Sequence, residues 1–176
     1  MGYWIGSVMQ GGLRWWLLGG VAASVLFGVS GLLLPHLAVY APSASLQKGW
    51  YLRDFGDRDI AVGDVIVLHM PAGVMTAETI GGQPRRLLKQ IAALPDDTVC
   101  WDAHAMTVVT HQGTVRYPYH PDKGGLRPPE TCLAVLWGDV VVVGTHPRSF
   151  DSRYFGIVPW TLFQFRVKPL WTWEAA

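Results

Sequence analysis

Hydrophobic positions divide the chain into one long apolar run followed by many short apolar segments. Residues 15–34 contain no charged side chain, and this length matches the roughly 20 residues that a helix needs to cross a bilayer. Trp15 and Trp16 stand where aromatic rings favour the membrane interface, and Pro35 ends the run. The pattern predicts an N-terminal segment over 1–14, a transmembrane anchor over 15–35 and a separate domain over 36–176.

A cleaved signal peptide is the alternative interpretation of the apolar run. Residues 39–41 offer a cleavage site, but the run is longer than the apolar core of about 7–15 residues in a signal peptide, and Pro42 would follow the cut. We therefore favour an uncleaved anchor. The basic residues do not orient it, because Arg14 precedes the run while Lys48 and Arg53 follow it.

After Tyr51 the apolar segments are short and separated by turn-forming residues. Residues 65–68 and 140–143 are β-branched runs that each follow a Gly-Asp turn, which is typical of buried strands. Further strands are predicted at 98–101, 106–110 and 114–119, with an irregular excursion over 121–129. The domain is therefore predicted to be mainly β with antiparallel pairing.

The sequence pattern does not decide the structure of two segments. In residues 86–94, the spacing of Leu87, Leu88, Ile91 and Leu94 is helical, so periodicity alone predicts a helix. The aromatic tail at 157–173 is interrupted by charges and prolines, so it is not a second membrane span. It either closes the sheet or lies at the lipid surface.

Composition narrows the functional class. Half of the residues are hydrophobic, 15% are charged and nine are Trp, which indicates membrane association. The formal net charge is +1 and the basic residues are scattered, so we expect no nucleic-acid partner. The six His show no metal-ligand spacing, and we expect neither a metal nor an organic cofactor.

Candidate chemistry begins with the serines that follow the apolar run. Ser43 and Ser45 would lie on the same side of an extended segment, and a serine becomes a nucleophile when a base takes its proton. The candidate base is Lys89, which lies among apolar residues. Its pKa would have to fall from about 10.4 by roughly 3 units, and burial disfavours the charged ammonium in this way.

Three motifs in the same order resemble those of the membrane-bound Ser/Lys signal peptidases, family S26. They are a serine motif at 42–46, a lysine motif at 89–97 and an Asp-Ser-Arg motif at 144–159. The serine spacing, the Cys pair and the string at 149–156 are most similar to TraF-type peptidases of conjugative transfer systems. This chain departs from the family at Gln47, at Asp96 in place of Gly, and at Thr145-His146 in place of Asp-Asn.

The resemblance implies a role for each motif residue. Ser45 would be the nucleophile and Lys89 the base, with 86–94 a strand. Ser43 and the backbone N–H of Ser45 would form the oxyanion hole, and Ser149 would orient the lysine amine. The two remaining implied pairs are structural. Asp151 would pair with Arg153 to support the site. Cys100 would form a disulfide with Cys132, which would stabilise the folded protein by about 3–4 kcal/mol.

The function implied is that of a membrane-anchored serine endopeptidase in the bacterial inner membrane. Residues 1–14 would be cytoplasmic and the β-rich peptidase domain over 36–176 periplasmic. Its substrate would be an exported precursor, such as a conjugative pilin or transfer protein, cut after a small residue. Its other partners would be membrane lipid and the conjugation or secretion machinery.

Three alternatives are kept. A general type I signal peptidase would process many secreted proteins, although the missing Asp-Asn argues against it. A non-catalytic, membrane-tethered assembly component with the same fold would not need both Ser45 and Lys89. A self-cleaving repressor of the Ser/Lys type is disfavoured by the apolar run and by the lack of a DNA-binding segment.

Overall fold

A computed structural model of the chain describes residues 6–43, 45–56, 59–70, 85–121 and 128–173. Contacts divide the chain into an N-terminal unit that ends at Val39 and a second unit that begins at Tyr40. The described part of the N-terminal unit contains one long helix and the first two residues of a strand, and the second unit contains the rest of the β-structure. Most of the predicted excursion over 121–129, namely 122–127, lies outside the described residues.

The helix of the N-terminal unit, α1, spans Gly6–Leu37. Its side chains are exposed throughout residues 16–32. Within the described part of the chain, no helix meets the requirements of length and apolar character for crossing a membrane. The anchor over 15–35 therefore stays a prediction.

Two antiparallel sheets make up the second unit, as far as the structure describes it. The larger has the strand order β1-β2-β11-β3-β4-β9-β10 and the smaller β7-β6-β5-β8. The strands are β1 Ala38–Ala41, β2 Lys48–Arg53, β3 Val65–Met70, β4 Arg85–Ala93, β5 Thr98–Trp101, β6 Ala105–Thr110, β7 Gly113–Pro118, β8 Thr131–Ala134, β9 Asp139–Val143, β10 Val158–Pro159 and β11 Phe163–Trp173. A short helix, α2 Ser152–Phe155, follows β9, and a 3₁₀ turn, Trp160–Leu162, precedes β11.

Strand β4 resolves the conflict over residues 86–94 in favour of the strand. It pairs with β3 on one side and β9 on the other, with Ile66 opposite Lys89 and Val142 opposite Ile91. The helical periodicity misleads because a central strand packs on both faces and so loses simple polar alternation. A register shift between Ile91 and Ala93 disturbs the alternation further.

Strand β9 separates two hydrophobic clusters. Val140 and Val142 pack with Ile66, Leu68 and Ile91 in one cluster. Alternate positions of the same strand face the other cluster, which is shared with the smaller sheet: Val141 and Val143, with Val99, Trp101, Met106 and Val108. Burial on both faces explains the continuous valine run, and it makes β9 a rigid base for the loop that follows.

The aromatic tail forms β11, which lies between β2 and β3 in the larger sheet. Its Arg166 is 4% exposed and donates from Nε to Asp54 Oδ2 at 2.6 Å. A hydrogen bond from Gly56 N, together with Lys168 and Arg166, lowers the pKa of Asp54 to about 2. The tail therefore closes the sheet, which is one of the two predicted alternatives.

Candidate active site

Lys89 lies in the middle of β4 and is 1% exposed. Ile66 is its partner on β3, and Leu87 and Ile91 are two positions away on the same strand. Residues two apart share a face of a sheet, so these apolar side chains surround the stem of the lysine. Burial of this kind disfavours a charged ammonium relative to a neutral amine.

Ser149 holds the end of the lysine side chain. Lys89 Nζ donates to Ser149 Oγ at 2.7 Å, and Ser149 is 2% exposed. The two residues are 60 positions apart in the sequence. A lysine paired with a hydroxyl can be oriented without being held in its charged form, which is the arrangement that a lysine base requires.

Gly144 brings the serine loop against this pair. It directly follows Val143, whose partner Gln90 is next to Lys89. A Cβ at Gly144 would overlap both Ser149 Oγ and the carbonyl oxygen of Ser45. These two atoms therefore lie within a few ångströms of each other, across a space that a side chain at Gly144 would fill.

From the sequence alone, Gly144 was only the first residue of a motif and had no predicted role. The signal that could have identified it is its position, since a glycine directly after a buried valine run often marks a close approach of other backbone. Its own N–H donates to Asp151 Oδ2 at 2.8 Å, which fixes the start of the loop.

Ser45 lies in the loop between β1 and β2 and is partly buried, whereas Ser43 is exposed at the start of that loop. The carbonyl oxygen of Ser45 accepts a hydrogen bond from His146 N at 3.4 Å. The loop is held at its other end by Gln47, whose backbone oxygen accepts from Tyr51 Oη at 2.7 Å. The first hydrogen bond connects the serine loop to the loop that carries Ser149, and the second anchors the serine loop to β2.

Asp151 and Arg153 form a buried ion pair behind the loop, with side chains 0% and 4% exposed. Arg153 donates from Nε to Oδ1 at 2.8 Å and from Nη2 to Oδ2 at 2.7 Å, a bidentate arrangement. Burial opposes the charge on Arg153, but the hydrogen bond and charge of Asp151 outweigh it and raise the pKa of the guanidinium.

The same guanidinium gathers backbone carbonyl oxygens of the loop. Arg153 Nη2 donates to His146 O at 3.1 Å and to Ser149 O at 3.4 Å, while Nη1 donates to Pro147 O at 3.3 Å. Since these three carbonyls flank the hydroxyl that meets Lys89, Arg153 acts on the site by holding the loop in place.

The smaller sheet supports the site from the side. From the smaller sheet, Trp101 Nε1 donates to Ser152 O at 3.0 Å; from β9 in the larger sheet, Val142 N donates to Ser152 Oγ at 3.0 Å. Cys100 faces Cys132 across β5 and β8, and the structure joins them in a disulfide with an S–S distance of 1.99 Å. The disulfide therefore cross-links the sheet that buttresses the Asp-Ser-Arg motif.

Asp96 occupies the turn where the family usually has glycine, and its φ is 77°. Asp is among the residues that tolerate this left-handed region. Asp97 closes the turn by accepting from Leu94 N at 2.9 Å through Oδ2. The substitution therefore leaves the turn at the end of β4 in place.

The chain is similar to known signal peptidases in its sequence and in a solved structure. The family model described as "Signal peptidase, peptidase S26" matches residues 13–171 of the 176-residue chain. Among solved structures, the chain is similar to a signal peptidase I from Enterococcus faecalis V583, at 20% identity and a TM-score of 0.40, over 64% of this chain and 100% of that one. No curated protein matches the chain.

Proposed function

Because the chain belongs to the S26 signal peptidase family, we propose that it is a membrane-anchored serine endopeptidase with Ser45 as nucleophile and Lys89 as base. The observation that carries this proposal is the buried amine of Lys89, which is hydrogen-bonded to Ser149. The loop that carries Ser45 approaches Ser149 at Gly144. A neutral amine in this position can accept the proton of a serine hydroxyl.

The reaction would proceed through an acyl-enzyme. Lys89 takes the proton of Ser45 as its Oγ attacks the scissile carbonyl, and the hydroxyl of Ser43 with the N–H of Ser45 stabilises the oxyanion. The lysine then gives its proton to the leaving amine, and a water activated by Lys89 hydrolyses the ester. Ser149 keeps the amine oriented through both steps, while Asp151 and Arg153 support the loop.

The substrate would be an exported precursor, such as a conjugative pilin or transfer protein, cut after a small residue. The resemblance to TraF-type peptidases in the serine spacing and in Thr145-His146 supports this choice over a general signal peptidase. An extended precursor would bind by strand addition near Ser45, with alternate side chains pointing to opposite sides. The conjugation or secretion machinery would be a further partner.

The lipid bilayer would be the second partner of the chain. Two exposed apolar regions support this: the side chains of α1 over residues 16–32, and an aromatic group at the β1-β2-β11 edge. In that group, the ring centroids of Tyr40 and Trp50 lie 5.1 Å apart in a tilted arrangement, and Trp171 and Trp173 are 72% and 43% exposed. Aromatic side chains favour the membrane interface, which would place the domain on the periplasmic surface of the inner membrane.

The proposal is tested by cleavage of a precursor peptide with the full-length protein in detergent. Ser45→Ala and Lys89→Met should each lower kcat/KM by about 10³-fold or more, because nucleophile and base act as one unit. Matched controls remove the same groups elsewhere, namely Ser24→Ala in α1 and Lys168→Met in β11, and should leave cleavage unchanged. Full activity in either site variant would favour a non-catalytic assembly role for this pair.

A further inference from the structure

His146 lies in the turn that carries Ser149, and its backbone connects this turn to the loop that carries Ser45. His146 O accepts a hydrogen bond from Ser149 N at 2.9 Å, which closes a turn of four residues over 146–149. On its other side, His146 N donates to the carbonyl oxygen of Ser45 at 3.4 Å. The backbone of one residue therefore connects the proposed nucleophile to the residue that orients the amine of Lys89.

The side chain of His146 holds the same turn. Its Nδ1 accepts a hydrogen bond at 3.1 Å from Arg148 N, two residues further along the chain. Nδ1 can accept only in the tautomer that carries the ring proton on Nε2. Pro147 has no N–H, so the turn offers two backbone donors after His146, and His146 accepts from both. The ring takes the N–H of Arg148, and the carbonyl takes that of Ser149.

Arg153 holds the carbonyl groups of this turn and cannot do the same for its N–H groups. The guanidinium donates to the carbonyl oxygens of His146 and Pro147 at 3.1 and 3.3 Å. Because a guanidinium has donors and no acceptor, it cannot bind the N–H of Arg148. That N–H needs an acceptor, which the imidazole of His146 supplies. Without the imidazole, the turn would keep its carbonyl contacts and lose one of its two N–H contacts.

We propose that His146 is a positioning residue of the peptidase, whose imidazole fixes the turn so that Ser149 and Ser45 keep the orientation that proton transfer to Lys89 requires. This inference rests on the proposed function and adds one residue to its site. Catalysis is sensitive to such positions, since a shift of about 1 Å can lower a rate by about 10²-fold. The hydrogen bond to Nδ1 is exposed and local, so its loss should affect catalysis more than unfolding.

The test compares three substitutions of this residue in the full-length protein, with a precursor peptide as substrate. His146→Ala removes the acceptor and should lower kcat by about tenfold with little change in KM. His146→Asn should restore kcat to within about twofold of wild type, because an Asn side chain readily accepts from the backbone N–H two residues further on. His146→Gln carries the same amide on a longer stem that does not favour this turn, so it should behave like His146→Ala.

The control is His111→Ala, which removes an exposed imidazole from the turn after β6 and should keep wild-type kinetics. Thermal unfolding of every variant measures how much protein is folded at the assay temperature. A pattern in which Asn restores kcat and Gln does not, with similar unfolding in both, supports the positioning role.

Several results would overturn the positioning role. They are a wild-type kcat in His146→Ala, a change in KM alone, an equal loss of kcat in His146→Asn, and a loss of kcat that follows the loss of folded protein. Should His146→Ala not fold, His146→Asn and His146→Gln decide, and an equal kcat in these two would overturn it. The proposed function fails separately, since only a Ser45→Ala variant that cleaves as well as wild type would overturn the peptidase itself.

Discussion

Two buried basic side chains in the β unit face different kinds of partner. Lys89 in β4 donates to the hydroxyl of Ser149 at 2.7 Å, whereas Arg166 in β11 contacts the carboxylates of Asp54 at 2.6 Å and Asp64 at 3.6 Å. Both side chains are almost completely buried. The guanidinium of arginine stays charged at any physiological pH, so its burial calls for carboxylates.

Lysine differs because it can lose its proton when it is buried. A hydroxyl partner orients the amine in either protonation state, whereas a carboxylate would favour the ammonium. In the proposed mechanism, the two regions differ because Arg166 is a cation that holds strands together, whereas Lys89 is an amine that accepts a proton.

The largest effect is expected from giving Lys89 the kind of partner that Arg166 has. Ser149→Asp places a carboxylate beside the amine and stabilises the ammonium, so kcat/KM near pH 7 should fall by about 10²-fold or more. The remaining activity should rise at higher pH than in wild type. Activity–pH profiles check this, with Ser149→Ala as the control that removes the hydroxyl without adding charge. An unshifted profile in Ser149→Asp would contradict the role given to Lys89.

A smaller effect is expected from filling the space between the loop that carries Ser45 and the loop that carries Ser149. Gly144→Ala adds a Cβ that would overlap Ser149 Oγ and Ser45 O, so the loops must separate. Overpacking of this kind costs about 1–3 kcal/mol, and a displaced nucleophile can lower kcat/KM by about 10²-fold. Thermal unfolding and cleavage assays measure both.

The control for Gly144 is Gly28→Ala in α1, where nothing lies within 4 Å of the added Cβ. It should change neither stability nor activity appreciably. Wild-type kinetics in Gly144→Ala would show that the two loops can separate without consequence, and the close approach of Ser45 to Ser149 would then lose its importance for the site.

The smallest effect is expected at the structural cation and concerns how the stability of the protein depends on pH. Contacts with Gly56 N, Lys168 and Arg166 lower the pKa of Asp54 from 3.8 to about 2. A carboxyl with a lowered pKa in the folded state stabilises the protein above about pH 4, and this contribution is lost as the pH falls from about 4 to 2. Asp54→Asn should be less stable than wild type at neutral pH and should lose less stability over that range. Chemical unfolding at several pH values measures it, and parallel curves for the two proteins would contradict it.

Local patterns predicted the strands that lie in strongly apolar segments. Residues 65–68 and 140–143 form parts of β3 and β9, and the meander over 98–119 forms β5, β6 and β7. Short strands such as β1 and β8 were not predicted, because four residues without a clear alternation carry little signal. The family could also be predicted from the sequence, since each of its motifs is a contiguous stretch, and the match to the S26 family model confirms that prediction.

By itself, the sequence determined the mainly β class, the family and the residues whose chemistry suits a Ser/Lys peptidase, because these depend on local pattern and residue type. Only the tertiary structure decided that the aromatic tail lies inside the sheet, that Gly144 lets two loops meet and that Arg166 pairs with Asp54 across 112 positions. Such contacts depend on which strands become neighbours, and that choice is made by the packing of the whole sheet.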